Sequence, residues 1–124
     1  AHAITIRQLL THRSGVQGNI FAGDPATRGG LLRLRDFLPL LVNEPLQFTP
    51  GTRQVYSNAG FVLLGLLIEQ RTGRSYHDVV AERIYRPAGM TRAAYWRRDS
   101  LPTFAAVGMV SRSDTGAMLE NPRP

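Results

Sequence analysis

The segment Phe48-Thr-Pro-Gly-Thr-Arg-Gln-Val-Tyr56-Ser57-Asn58-Ala-Gly-Phe-Val-Leu-Leu-Gly-Leu-Leu joins a tight turn to an apolar run with two polar side chains at its mouth. Pro50-Gly51 suits the centre of a turn, because proline presets φ and glycine accepts positive φ without a Cβ clash. Beyond it, apolar residues fill positions 61–64 and 66–68, too many for one helical face. This predicts a helix from about Asn58 to Arg71 that is buried on most sides. Gly60 and Gly65 inside it each cost about 1 kcal/mol of helix propensity, which makes sense where another backbone approaches closely. Tyr56 and Asn58 stand where helical N–H groups lack partners, so one segment constrains both the fold and the chemistry.

The flanking sequence predicts further short helices. Thr5-Ile-Arg-Gln8 is a capping box opening a helix that runs through Thr11 or His12, with Gly15 as a left-handed stop. Residues 16–31 have no period and contain Gly, Asp and Pro, the composition of a long surface loop. A second helix is expected from Asp36, as N-cap, to about Asn43, with Pro39 tolerated in its first turn. Gly73 ends the third helix. Ser75 with Asp78 caps a fourth, running to about Tyr85 and stopped before Pro87. An extended piece is expected over Met90 to Trp96. The resulting division is a helical region over residues 1–96, carrying the Tyr-x-Asn motif, and an irregular tail over 97–124. The fold class is mainly α.

Composition excludes several function classes. All fifteen basic residues are arginine and lysine is absent, so no Walker motif can be built. The formal charge of +6 would suit nucleic acid, and the helix, Gly15 turn and charge together raise a helix-turn-helix reading. The arginines, however, are scattered among acidic residues, and Arg97-Arg98 and Arg33-Leu-Arg35 are too short for a basic stripe, so no nucleic-acid partner is expected. Without cysteine there is no disulfide framework or thiolate metal site. His2, His12 and His77 lack the spacing of a metal site, and neither metal nor cofactor is expected. The apolar stretch from Phe61 to Ile68 is far short of the ~20 residues that span a bilayer. Ala1-His2-Ala3 leads straight into a helical pattern, without the charged segment and apolar run of a signal peptide.

Tyr56 and Asn58 are the strongest chemical candidates. If the chain enters the helix extended, positions two apart point the same way while Ser57 points elsewhere. A phenol near a cation can act as general base or acid. An asparagine amide can donate to a substrate carbonyl and accept from a neighbouring ammonium. The plainer reading is that Tyr56 fills a gap in the core and Asn58 only caps the helix. A His12/Ser14 catalytic pair is disfavoured, because Ser14 lacks a Gly-x-Ser-x-Gly elbow and His12 cannot easily aim at it.

Several blocks in register closely resemble the class C β-lactamase-related serine hydrolases, a family that includes penicillin-binding D-alanyl carboxypeptidases and esterases. They are Ile4-Thr-Ile-Arg-Gln-Leu-Leu-Thr-His-Arg-Ser-Gly15, Phe48-x-Pro50-Gly51, Tyr56-Ser-Asn58-Ala-Gly-Phe-x-Leu-Leu-Gly65, and Ile84-x-x-Pro87-x-Gly89-Met90-Thr91. The family pattern combines a Ser-x-x-Lys, a Tyr-x-Asn and a later Lys-Thr-Gly or His-x-Gly. Of these, only the Tyr-x-Asn is present here. The resemblance implies a helical region excised from an α+β β-lactamase/transpeptidase-like fold, in which Tyr56 and Asn58 are catalytic and Asn58 also binds substrate. The parent would take a small-molecule or peptide substrate, whereas the segment alone would be inactive and open to self-association. The alternative is a non-catalytic binding or scaffold module of the same fold family.

Overall fold

The computed structural model describes residues 3–18, 20, 31, 33–96, 101–106, 109–111 and 118–120. Helix α1, Ile6–Leu10, starts as its sequence dictates. The Thr5 N–H donates to Gln8 Oε1 at 2.9 Å and the Gln8 N–H donates to Thr5 Oγ1 at 3.2 Å. One turn of helix is not stable in isolation, so α1 depends on Leu9, which is buried against its neighbours.

The chain leaves α1 through His12, at φ 57°, rather than at Gly15. Gly15 is also left-handed, at φ 75°, but it has a different task. There the backbone passes the Phe48 carbonyl so closely that any Cβ would collide with its oxygen. The passage is bonded along its length. Gly15 O accepts from the Gln47 N–H, Arg13 O from the Gly51 N–H and His12 O from the Val55 N–H, at 2.9, 2.8 and 2.9 Å. The Arg13 guanidinium adds a bond to the Gly51 carbonyl. At the Pro50-Gly51 turn, the Thr52 N–H donates to Thr49 O at 3.1 Å and Gly51 has φ 92°, as a turn with glycine third requires.

The expected second helix is instead a 3₁₀ helix over Leu34–Leu40. Asp36 is not its N-cap; it sits three residues in, and Oδ2 reaches back to accept from the Arg33 N–H at 2.8 Å. Pro39, inside this segment, has no N–H with which to make an α-type bond.

Helix α2, Asn58–Thr72, lies where the sequence predicts and ends at left-handed Gly73, whose N–H donates to Glu69 O at 2.8 Å. Its burial differs from expectation. The buried positions are the small ones, Ala59, Gly60 and Gly65, while Phe61 and Leu67 are 48% and 37% exposed. Small residues let neighbours settle onto the helix axis, and the close approach at Gly65 comes from the Leu34 side chain rather than from a backbone. The bulky residues on the far side, with Ile6, Leu10, Val79 and Ile84, line an open groove of about 600 Å³.

Helix α3, Tyr76–Val80, is capped by Ser75, whose Oγ accepts from the Asp78 N–H at 3.1 Å. It continues as a π turn over Ala81–Tyr85, so the predicted end is right but the last turn is wider than an α-helix. Residues 90–96 contain no strand. Extended pairing comes later, where β1, Met109–Ser111, runs antiparallel to β2, Met118–Glu120, with Val110 opposite Leu119. Six residues of the expected irregular tail are therefore a strand pair, and cross-strand bonding does not need strong local propensity.

The core gathers Leu9, Val16, Ile20, Leu41 and Ala59, flanked by Ile4, Phe37, Val62, Leu63 and Leu64. Val16 and Ile20 belong to the stretch expected as a surface loop; most of the remainder of 16–31 lies outside the described residues. Among the described residues no helix is long and apolar enough to cross a membrane.

This arrangement separates two leucines that look equivalent in sequence. Leu9→Ala should cost about 2–5 kcal/mol in chemical denaturation, the usual range for a truncated core leucine. Leu67→Ala should cost clearly less, about 1 kcal/mol, because over a third of that side chain is already exposed. Equal costs at the two sites would contradict the observed burial.

Candidate active site

Ser57 determines the local geometry. At φ −141° and ψ 111° it is extended, so its neighbours point to one side and its own side chain to the other. On the outer side the Tyr56 hydroxyl donates to Asn58 Oδ1 at 2.9 Å. The sequence-predicted pair is thus in direct contact. On the inner side Ser57 is 2% exposed, accepts from the Gly60 N–H at 2.9 Å and donates to the Val16 carbonyl at 2.6 Å.

Ser57 is therefore the N-cap of α2, and Asn58 is its first helical residue. This corrects the plainer reading of Asn58 as the cap. Its amide oxygen instead accepts from Tyr56, which leaves the NH₂ group available as a donor. Tyr56 is 68% exposed, so it does not fill a core gap either. With its proton engaged by Asn58, the phenol oxygen keeps lone pairs for a second partner.

The backbone beneath the pair is held from the 12–17 stretch. The Ser57 N–H donates to His12 Nδ1 at 3.1 Å, and Gln17 Nε2 donates to the Tyr56 carbonyl at 2.9 Å. The His12 ring lies 4.7 Å from the Tyr56 ring and 5.2 Å from that of Phe61, between centroids. His12 and Gln17 are supporting residues that the sequence reading did not pick out. Their partners lie 45 and 39 residues away, beyond the reach of any local pattern.

Neither nearby serine is placed to attack a substrate. Ser14 is 1% exposed and its Oγ accepts from the Val16 N–H at 3.2 Å, while His12 Nδ1 is already engaged by Ser57. A His12/Ser14 pair does not form. Among the described residues no three metal-ligating side chains cluster, and His77 stacks on Tyr95 at 4.3 Å between centroids.

Comparison with known proteins places these features in a family. Residues 1–120 match the Beta-lactamase family model. A penicillin-binding protein of Bacillus subtilis is 36% identical over 104 residues, covering 80% of this chain and 23% of that protein. A D-aminopeptidase of Cereibacter sphaeroides is 35% identical over 109 residues, covering 84% of this chain and 21% of that protein. The crystal structure of a penicillin binding protein from Bacillus halodurans superposes with a TM-score of 0.80 at 39% identity, over 95% of this chain and 37% of that one. The chain belongs to the β-lactamase-related serine hydrolase family. It spans less than a quarter of the length of these two sequence relatives.

The division of labour at residues 56–58 can be measured. Ser57→Ala should cost about 2–4 kcal/mol, since it removes the cap and leaves the buried Val16 carbonyl unpaired. Asn58→Ala should leave the melting temperature nearly unchanged, because Asn58 caps nothing. Thermal melts in which Asn58→Ala is the more damaging variant would reverse the assignment of the cap.

Proposed function

We propose that the whole protein is a serine hydrolase working by acyl transfer on an amide, lactam or ester, and that these residues supply its Tyr-x-Asn motif. The observation that carries the reading is the Tyr56 hydroxyl to Asn58 Oδ1 bond, exposed on one side and anchored to a buried serine on the other. The attacking serine and its lysine would come from residues outside this chain, which has no lysine and whose Ser14 and Ser57 are buried. The helical region would then be one part of an α+β fold of the β-lactamase/transpeptidase type.

In this mechanism the serine proton must leave as the acyl bond forms and must return to the departing amine or alkoxide. Once its own hydroxyl proton has passed to the proposed lysine, the Tyr56 oxygen can receive the serine proton and return it to the leaving group. The Asn58 NH₂ can donate to the acyl-side carbonyl of the substrate and orient it for attack. Asn58 would also accept from the lysine ammonium. The D-aminopeptidase relative makes amides of D-amino acids a rational first substrate class.

A second reading has its own support. A chain with no lysine and only buried serines in its described site could bind a ligand through Tyr56 and Asn58 without being acylated, as a binding or scaffold module.

Tyr56→Phe in the intact protein should lower kcat by about 10²–10⁴-fold with little change in stability. A wild-type rate on lactam, D-amino acid amide and ester substrates alike would remove the catalytic role. The 124 residues alone should not hydrolyse nitrocefin or short-chain nitrophenyl esters. Turnover that co-purifies with them and disappears in Ser14→Ala would restore a local nucleophile.

A further inference from the structure

His12 does more than end a helix. It is a non-glycine residue at φ 57°, a conformation that costs about 1 kcal/mol or more unless surrounding contacts impose it. Two contacts do so here. Its carbonyl accepts from the Val55 N–H at 2.9 Å and its ring Nδ1 accepts from the Ser57 N–H at 3.1 Å. The same ring lies against the rings of Tyr56 and Phe61.

The Ser57 N–H precedes α2 and has no partner within the helix. Ser57 is buried, so without His12 that donor would be left unsatisfied away from water. Ser57 also lies between the two residues of the pair. Whatever fixes its backbone fixes the directions in which Tyr56 and Asn58 leave the chain.

We propose that His12 is the positioning residue of the Tyr56/Asn58 site, acting through an unprotonated Nδ1 that holds the Ser57 N–H while the ring supports the tyrosine face. An imidazole nitrogen that accepts this bond cannot also carry a proton, so the ring is neutral with its proton on Nε2. Imidazolium would set one N–H against another and release the backbone beneath the pair. Asparagine is the natural mimic, because Oδ1 occupies nearly the place of Nδ1 and asparagine tolerates the left-handed region. Phenylalanine keeps the ring but loses the acceptor.

The kinetic part of the test rests on the proposed hydrolase, so two measurements are combined. In intact protein labelled with ¹⁵N-histidine, His12, identified by the signals lost in His12→Asn, should show the Nε2–H tautomer at neutral pH. An Nδ1–H tautomer or an imidazolium there would overturn the inference whatever the activity. In kinetics, His12→Phe should lower kcat by about 10²-fold, the cost of an ångström-scale misplacement, with a smaller change in KM. His12→Asn should recover most of that loss. A folded His12→Phe variant with wild-type kcat, or a folded His12→Asn variant as impaired as His12→Phe, would refute the positioning role. If Tyr56→Phe keeps its rate, the catalytic reading fails by itself and the tautomer still decides the role of His12.

Discussion

The side-by-side passage of residues 12–17 and 47–57 is the constraint on which the remaining structure depends. It brings the exit of α1 against the entry of α2 and satisfies backbone groups that neither helix can satisfy alone. Gly15 permits the contact because a side chain there would meet the Phe48 carbonyl. Ser57 completes it by bonding at once to the Val16 carbonyl and the Gly60 N–H. A buried hydroxyl with both a donor and an acceptor partner is stable in place, whereas losing either partner would strand a polar group away from water.

Packing and chemistry divide along the same line. Small residues of α2 face the core and let Leu9 and Leu34 approach, with Val62 and Leu63 packed beside them, while Phe61, Leu67 and Ile68 remain on an open groove with Ile6 and Ile84. A helix that is apolar all round expects cover on all sides, and in this chain it is covered on one. Exposed Tyr56 and half-buried Asn58 lie at the N-terminal mouth of that helix, so the site and the uncovered apolar surface adjoin on one element.

The roles of the polar residues follow burial more than residue type. Serine, usually the nucleophile in such chemistry, is structural at both 14 and 57 because each hydroxyl is buried and engaged. Tyrosine, a frequent core residue, is here the exposed one. Histidine, often a general base, is committed as an acceptor to a backbone N–H. The sequence already disfavours a His12/Ser14 pair, and the hydrogen bonds assign both residues to support.

The sequence by itself determined what depends on near neighbours: the Thr5/Gln8 capping box, the Pro50-Gly51 turn, the span of α2 to Gly73, the Ser75 cap, and the candidacy of Tyr56 and Asn58. Each rests on spacings of a few residues, where backbone geometry leaves little choice. Tertiary structure alone decided the rest. It made Ser57 and not Asn58 the cap, buried Val16 and Ile20 from an apparent loop, turned Leu67 outward, paired residues 109–111 with 118–120, and set His12 beneath the Tyr56/Asn58 pair. Those outcomes depend on contacts between residues far apart in the chain, whose strength comes from burial and bond geometry. A local pattern carries no record of either.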